Sequence, residues 1–120
     1  DDSHTVTTVI EKALLKEGFK VLLACDGLEA LKTAIYERPK LIITDSVMPR
    51  MDGYGLLRAL RANPMTSEIP VIMLTSRAST EDEQRALAFG FSDFIPKPIQ
   101  PVRVISRVKH ILELTKKNRR

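Results

Sequence analysis

Short apolar segments alternate with amphipathic segments along the chain, and this alternation restricts the fold more than any other feature. The apolar segments predict β-strands at residues 20–25, 41–45, 71–75 and 93–96. Short apolar strands separated by amphipathic helices are typical of a parallel sheet covered by helices on both faces. The sequence therefore predicts an α/β fold.

Apolar residues at helical spacing predict five helices between and around these strands. The predicted helices lie at about 5–17, 26–38, 54–62, 80–90 and 101–112. Two of their starts match the capping box, in which a polar residue is followed three positions later by Glu: Asp26 with Glu29, and Thr80 with Glu83. Asp52 is interpreted as a turn residue before Gly53.

The composition indicates one soluble domain. The 120 residues are 43% hydrophobic and 28% charged, which is ordinary for a globular protein with its own core. The single cysteine, Cys25, excludes an internal disulfide, and its apolar neighbours predict a buried side chain in a reducing, cytoplasmic compartment. No segment approaches the roughly 18 consecutive apolar residues of a membrane span. The first residue is Asp1 rather than Met, so we expect the start of the protein to be trimmed or incomplete.

The net charge of +4 is concentrated at the C-terminal end, where residues 103–120 carry seven basic side chains and one acidic one. No aromatic residue is interleaved with these charges, which argues against direct nucleic-acid binding. We interpret the basic residues as a solvated helix face followed by a polar tail.

Polar residues stand at three predicted strand ends, where a core would not require them. Asp45, Thr75 and Lys97 occupy these positions, and the chain opens with Asp1 and Asp2. The carboxyl ends of parallel strands share one edge of a sheet, so these side chains are expected to meet. Clustered carboxylates favour a bound cation, and oxygen ligands suit Mg²⁺. An aspartate there is also a possible nucleophile for phosphoryl transfer.

In these residues the chain resembles a response-regulator receiver domain of bacterial two-component signalling, similar to the chemotaxis response regulator. The resemblance covers residues 1–114. The motifs that carry it are Asp1-Asp2, Asp45 with Met48-Pro49 and Met51-Asp52-Gly53, Thr75-Ser76, and Lys97-Pro98.

The resemblance implies that Asp45 accepts a phosphoryl group from the phosphohistidine of a histidine kinase or phosphotransfer protein. It implies that Asp2, Asp45 and the backbone carbonyl of Val47 bind Mg²⁺ directly. Asp1 would bind the ion through water. On position alone, Asp1 and Asp2 would be a solvated terminus. Lys97 would contact the phosphoryl oxygens.

The resemblance also implies a switch. Thr75 would move toward the phosphoryl group, small Ser76 would leave room for it, and Phe94 would swing inward. The readout surface would comprise the fourth helix, fifth strand and fifth helix, residues 80–114. Val47 and Arg77 lie at family-variable positions beside the site. Valine cannot orient a hydrolytic water, so we expect slow self-dephosphorylation and no turnover as an enzyme.

The implied fold is a flavodoxin-like, doubly wound parallel sheet of strand order 2-1-3-4-5. The family's first strand is absent from this chain, so the second and third strands would lose their common neighbour. An upstream segment, a strand from another chain and a remodelled sheet each remain as explanations, in that order of preference. Residues 115–120 would form a basic tail or the start of a linker to an output domain.

Two functional hypotheses remain open: a phosphorylation-activated switch, and a receiver-like binding scaffold that works without phosphorylation. An aspartyl-phosphate hydrolase lacks its second acid, because position 47 is Val. Nucleotide binding lacks a Gly-rich phosphate loop. The sequence does not identify the kinase or the output domain or target. It also permits a homodimer through the fourth and fifth helices.

Overall fold

Five α-helices and a three-stranded parallel sheet make up the described part of this computed structural model, residues 2–45, 51–76 and 79–118. Side chains are described for residues 6–45, 51–76 and 79–115. The elements in chain order are α1 (Asp2–Lys16), α2 (Gly27–Glu37), β1 (Ile42–Asp45), α3 (Gly53–Ala62), β2 (Val71–Thr75), α4 (Thr80–Phe89), β3 (Asp93–Pro96) and α5 (Pro101–Asn118). None of the helices in these ranges is long and apolar enough to cross a membrane.

The sheet has the order β1-β2-β3, with both pairs parallel. The central strand β2 is buried along its whole length, which explains its continuous apolar sequence. In register, Asp45 pairs with Leu74, and Thr75 pairs with Pro96. The strands predicted at 41–45, 71–75 and 93–96 are therefore confirmed, with the first beginning at Ile42.

The strand predicted at residues 20–25 is wrong. Residues 19–24 form no regular structure, and Leu22 and Leu23 are 40% and 52% exposed. Cys25 is exposed as well, so its predicted burial is also wrong. A strand needs a neighbour for its backbone hydrogen bonds, and in the described chain β1 pairs with β2 alone. Residues 20–25 therefore have the composition of a strand, but no described strand pairs with them.

The chain forms two compact units, of which residues 23–97 contain the sheet and helices α2, α3 and α4. In this unit α2 packs on α3, and α4 contacts β3. Side chains from all of these helices and from β2 and β3 fill one core. Its buried members are Ala34, Leu56, Leu57, Leu60, Val71, Met73, Ala86, Phe91 and Phe94.

The other unit contains α1 and α5, which pack against each other. Lys109 Nζ on α5 donates to Glu17 Oε1, just after α1, at 2.6 Å. This hydrogen bond and the lysine charge hold the pKa of Glu17 below its usual value. Helix α5 begins at Pro101, as predicted, and continues past Leu114 to Asn118.

The N-cap predicted at Thr80 lies one residue earlier in the structure. Ser79 is the N-cap of α4: its Oγ accepts from the Asp82 backbone N–H at 3.0 Å and donates to Asp82 Oδ2 at 2.8 Å. Ser and Thr are chemically equivalent caps, so the sequence alone does not choose between neighbouring positions. The cap predicted for α2 is present, with Asp26 accepting from Glu29 N at 2.9 Å. Asp52, which was interpreted as a turn residue, is the N-cap of α3 and accepts from Gly55 N at 2.8 Å.

We expect Ser79→Ala to lower the free energy of unfolding by about 1 kcal/mol, because it removes the acceptor for a helix-terminal N–H. Thr80→Ala is the matched control, and it is expected to change stability by less than about 0.5 kcal/mol because Thr80 is exposed inside the first turn. Urea denaturation measures both. An equal loss for both variants would contradict the assignment of Ser79 as the cap.

Candidate functional site

Asp45 is the last residue of β1, at the carboxyl edge of the sheet. Its side chain is 19% exposed, so it is neither core nor freely solvated. The preceding Thr44 is buried, and its hydroxyl donates to the Asp45 carbonyl oxygen at 3.0 Å. The local structure therefore holds the end of the strand while the Asp45 side chain stays partly exposed.

Lys97 directly follows β3, two strands away from β1, and its side chain extends to Asp45. Its backbone N–H donates to the Thr75 carbonyl oxygen at 2.7 Å, which extends the β2–β3 ladder one residue past β3. From there its Nζ lies 2.6 Å from Asp45 Oδ1, with the lysine side chain 24% exposed. The lysine side chain thus spans the end of the central strand and places a positive charge on the carboxylate.

Thr75 ends the central strand between these two groups and is only 3% exposed. Ser76 follows it and is exposed. Phe94 is 6% exposed and packs in the core next to β2, where it pairs in register with Met73. The predicted aromatic switch residue therefore occupies a buried position in this structure.

The remaining predicted site residues lie outside the described part. Asp1, Val47 and Arg77 are not described, and for Asp2 the structure gives only its backbone, at the start of α1. Among the described side chains, no three His, Cys, Asp or Glu residues are grouped to hold a metal ion. The predicted magnesium ligands, Asp45 among them, stay predictions.

Asp45 Oδ1 is suited to a metal ion or a phosphoryl group. The oxygen is buried, and no described residue makes a well-directed hydrogen bond to it, although Lys97 Nζ makes an ion-pair contact there. A buried carboxylate oxygen normally has hydrogen-bond donors, so such an atom marks a place where another partner can bind. Carboxylate oxygen is also the ligand type that Mg²⁺ prefers, so Asp45 fits this ion.

Cysteine chemistry is disfavoured in this domain. The negative charge of Glu29 raises the pKa of the Cys25 thiol, and the Glu29 carboxylate also accepts from the Cys25 backbone N–H. A raised pKa lowers the fraction of nucleophilic thiolate at neutral pH. The exposed thiol is therefore not an activated nucleophile.

Sequence reasoning missed the roles of Thr44 and of the Lys97 backbone. A threonine inside an apolar run directly before Asp45 was a usable signal, because a hydroxyl there needs a local partner. The hydrogen bond from Lys97 to Thr75 had no side-chain signal, because any residue other than proline provides the same N–H.

The chain also matches a known family by sequence. The family is described as the response regulator receiver domain, and the match covers residues 1–109. The chain belongs to this family. The resemblance inferred from the sequence motifs and the flavodoxin-like α/β fold are thereby confirmed.

This receiver domain is 38% identical to the transcriptional regulatory protein PrrA of Mycobacterium bovis over 93% of the chain and 47% of that relative. It spans about half the length of the curated relatives it matches. Among solved structures, a response regulator from Desulfuromonas acetoxidans is 38% identical, with a TM-score of 0.85 over 92% of this chain and 89% of the other.

A second relative among the solved structures contains a magnesium ion. It is the receiver domain of a sensor histidine kinase from Pseudomonas aeruginosa, with a magnesium ion coordinated in its active site cleft. This receiver domain is 32% identical to it, with a TM-score of 0.75 over 91% of this chain and 86% of the other.

Proposed function

We propose that this receiver domain is a phosphorylation-activated signalling switch. Asp45 accepts a phosphoryl group from the phosphohistidine of a histidine kinase or phosphotransfer protein, in a Mg²⁺-dependent reaction. The observation that carries the proposal is the contact between Lys97 Nζ and Asp45 Oδ1, at 2.6 Å on the carboxyl edge of the sheet. Family membership and the magnesium-bound relative support the same chemistry.

In the transfer, a carboxylate oxygen of Asp45 forms a bond to phosphorus while the phosphorus–nitrogen bond to histidine breaks. The histidine leaves with the electron pair of that bond. The Lys97 ammonium is already beside the acceptor, and it pairs with the phosphoryl oxygens as they arrive. This arrangement is pre-organised, because the Lys97 backbone is fixed to the end of β2 before any phosphoryl group binds.

Magnesium would be held by Asp45 and Asp2, by Asp1 through water, and by the Val47 carbonyl. When bound, it supplies positive charge between the carboxylates and the phosphoryl oxygens. Asp45 is regenerated only by loss of the phosphoryl group, which we propose to be slow because Val47 cannot orient a water. The domain is therefore a phosphoacceptor that assists its own reaction rather than a turnover enzyme.

The proposed output is a change at residues 80–114, the surface that the family resemblance assigns to readout. Thr75 moves toward the phosphoryl group and Phe94 responds to its movement, as one local charge change biases two packing states. The partner that reads this surface is an output domain, a target protein or a second copy of the domain bound through α4 and α5. The greater length of the curated relatives is compatible with an output domain.

The test is incubation with a small phosphodonor and Mg²⁺, followed by intact-mass analysis and peptide mapping. We expect one added phosphoryl group on the peptide that contains Asp45. When EDTA is present from the start of the incubation, we expect no adduct to form. Circular dichroism verifies that the protein is folded. A folded protein without an adduct would instead support a scaffold that works without phosphorylation.

A further inference from the structure

Three aromatic rings contact one another between α3 and the end of α4. Tyr54 and Phe89 make an edge-to-face contact with ring centroids 4.9 Å apart, and Tyr54 makes a similar contact with Phe91 at 5.3 Å. Arg58 lies one helical turn after Tyr54, and its guanidinium carbon is 5.8 Å from the centroid of the Phe89 ring. Phe91 is 3% exposed, whereas Phe89 is 40% exposed. The cluster therefore fixes one large apolar ring that is partly open to solvent, with a positive charge beside it.

Helix α4 is poorly covered by the rest of its unit. Of its ten residues, all of them described, Ala86 alone is buried. Residues three and four apart share a helix face, which places Glu81, Arg85, Ala88 and Phe89 on one stripe. All four are exposed, and we refer to them together with Arg58 of α3 as the α4 stripe. A helix normally buries its apolar positions, so a stripe that ends in an exposed phenylalanine is a candidate for burial by another molecule.

The charge of the α4 stripe changes sign from one end to the other. In the first turn of α4, residues 81–83 are all acidic. At the other end, the positive charge of Arg58 lies beside the Phe89 ring. In the middle, Arg85 forms an ion pair with Asp82 of its own helix at 3.7 Å, so little charge remains uncompensated there. The acidic and basic ends are about 12 Å apart, at the helical rise of 1.5 Å per residue.

A surface whose two ends carry opposite charges is complementary to itself. When two copies are related by a two-fold axis and their α4 helices run antiparallel, the acidic end of each copy faces the basic, aromatic end of the other. This arrangement also brings opposite ends of the helix dipoles together. We infer that the α4 stripe is a self-association site, at which Glu81 of one copy pairs with Arg58 of the other and both Phe89 rings are covered. A second copy is favoured over an unrelated partner because the domain supplies both halves of the charge pairing.

This interface differs from the α4–α5 contact proposed for readout, because it uses α3 and α4 and leaves α5 out. All of its residues belong to the unit 23–97, and it requires no phosphoryl group. One helix face is small compared with the roughly 1,000 Å² of total buried surface that stable complexes exceed, so we expect a weak dimer.

Sedimentation equilibrium of the unphosphorylated chain, at concentrations up to about 1 mM, tests the inference, because weak self-association is measurable in that range. We expect the parent to dimerise, and Arg58→Glu and Glu81→Arg each to weaken the dimer at least about 10-fold, because each variant places like charges opposite one another at both ends of the interface. In an equimolar mixture of the two variants both pairs are attractive again. We therefore expect dimers of unlike chains, with an affinity within about 3-fold of the parent's.

Two control variants separate this pairing from general effects. Glu37→Arg changes the net charge as Glu81→Arg does, at an exposed residue at the end of α2, and Val102→Ser changes an 82% exposed residue of α5. We expect both to dimerise like the parent. Phe89→Ser tests the aromatic end without altering the charge, and we expect it to weaken the dimer at least about 10-fold, as removal of an aromatic anchor from an interface does.

A parent that stays monomeric would overturn the inference and leave the α4 stripe to a different protein. A mixture of folded Arg58→Glu and Glu81→Arg that stays monomeric would also overturn it, because rescue between unlike chains follows from this pairing. So would loss of the dimer in Val102→Ser together with a parent-like dimer in Phe89→Ser, which would place the contact on α5. Circular dichroism verifies folding, and where a charge variant is unfolded, Phe89→Ser decides by losing or keeping the dimer.

Discussion

Asp45→Ala is expected to abolish phosphorylation while the protein stays folded. The carboxylate is the proposed nucleophile, and alanine has no atom that can bond to phosphorus. The side chain lies at the sheet edge and is not a member of the core, so its removal leaves the packing of the unit intact. Intact-mass analysis after exposure to phosphodonor and Mg²⁺ measures the first effect, and circular dichroism measures the second.

Asp52→Ala provides the control for this experiment, because Asp52 is a nearby aspartate with a structural role. Its loss removes the α3 cap and is expected to cost about 1 kcal/mol of stability, yet the variant should still accept one phosphoryl group. An adduct on Asp45→Ala at the parent level would mean that another residue is the acceptor.

The sequence predicted the helices and the three strands best where the signal was local. The segments 71–75 and 93–96 became strands with the predicted bounds: the first is buried along its whole length, and the second buries Phe94 and Ile95 within the same unit. The cap of α2 was also predicted, because a side-chain acceptor and its N–H lie three residues apart. Asp52 has the same spacing to the Gly55 N–H, but it was interpreted only as a turn residue.

The errors arose where the outcome depended on distant partners. Residues 20–25 have the composition of a buried strand, but strand formation depends on a neighbouring strand, which local composition does not report. The exposure of Cys25 follows from the same failure. The other prediction, that strands lose their common neighbour when the family's first strand is absent, agrees with the lack of a strand at residues 20–25.

The candidate site was predictable as a location but not as a set of contacts. The rule that parallel strands share a carboxyl edge placed Asp45, Thr75 and Lys97 together, and the structure brings the lysine and the aspartate into contact. Gly27, the first residue of α2, lies so close to the Met51 backbone that a Cβ atom there would overlap it, and this contact depends on how two separate chain segments pack. A glycine at a helix start gives no indication of the backbone that will approach it.

Lys97→Met is expected to lower the rate of phosphorylation by small phosphodonors roughly 10²-fold, comparable to removal of one pre-organised donor from a reaction centre. Methionine keeps an unbranched side chain of similar length and keeps the N–H that binds the Thr75 carbonyl, so the ladder past β3 remains. Only the positive charge beside Asp45 is lost. The time course of the adduct by intact mass, at fixed donor and Mg²⁺ concentrations, gives the ratio of rates.

Lys109→Met is the matched control, because Lys109 forms an ion pair of the same 2.6 Å length with a different carboxylate, Glu17. Both variants lose one positive charge from the protein, so a general effect of net charge on an anionic donor would slow them equally. A loss confined to Lys97→Met requires the charge to act at Asp45 itself. Equal rates for the two variants would mean that the Lys97–Asp45 contact is a structural ion pair, and that the phosphoryl group is stabilised by other residues.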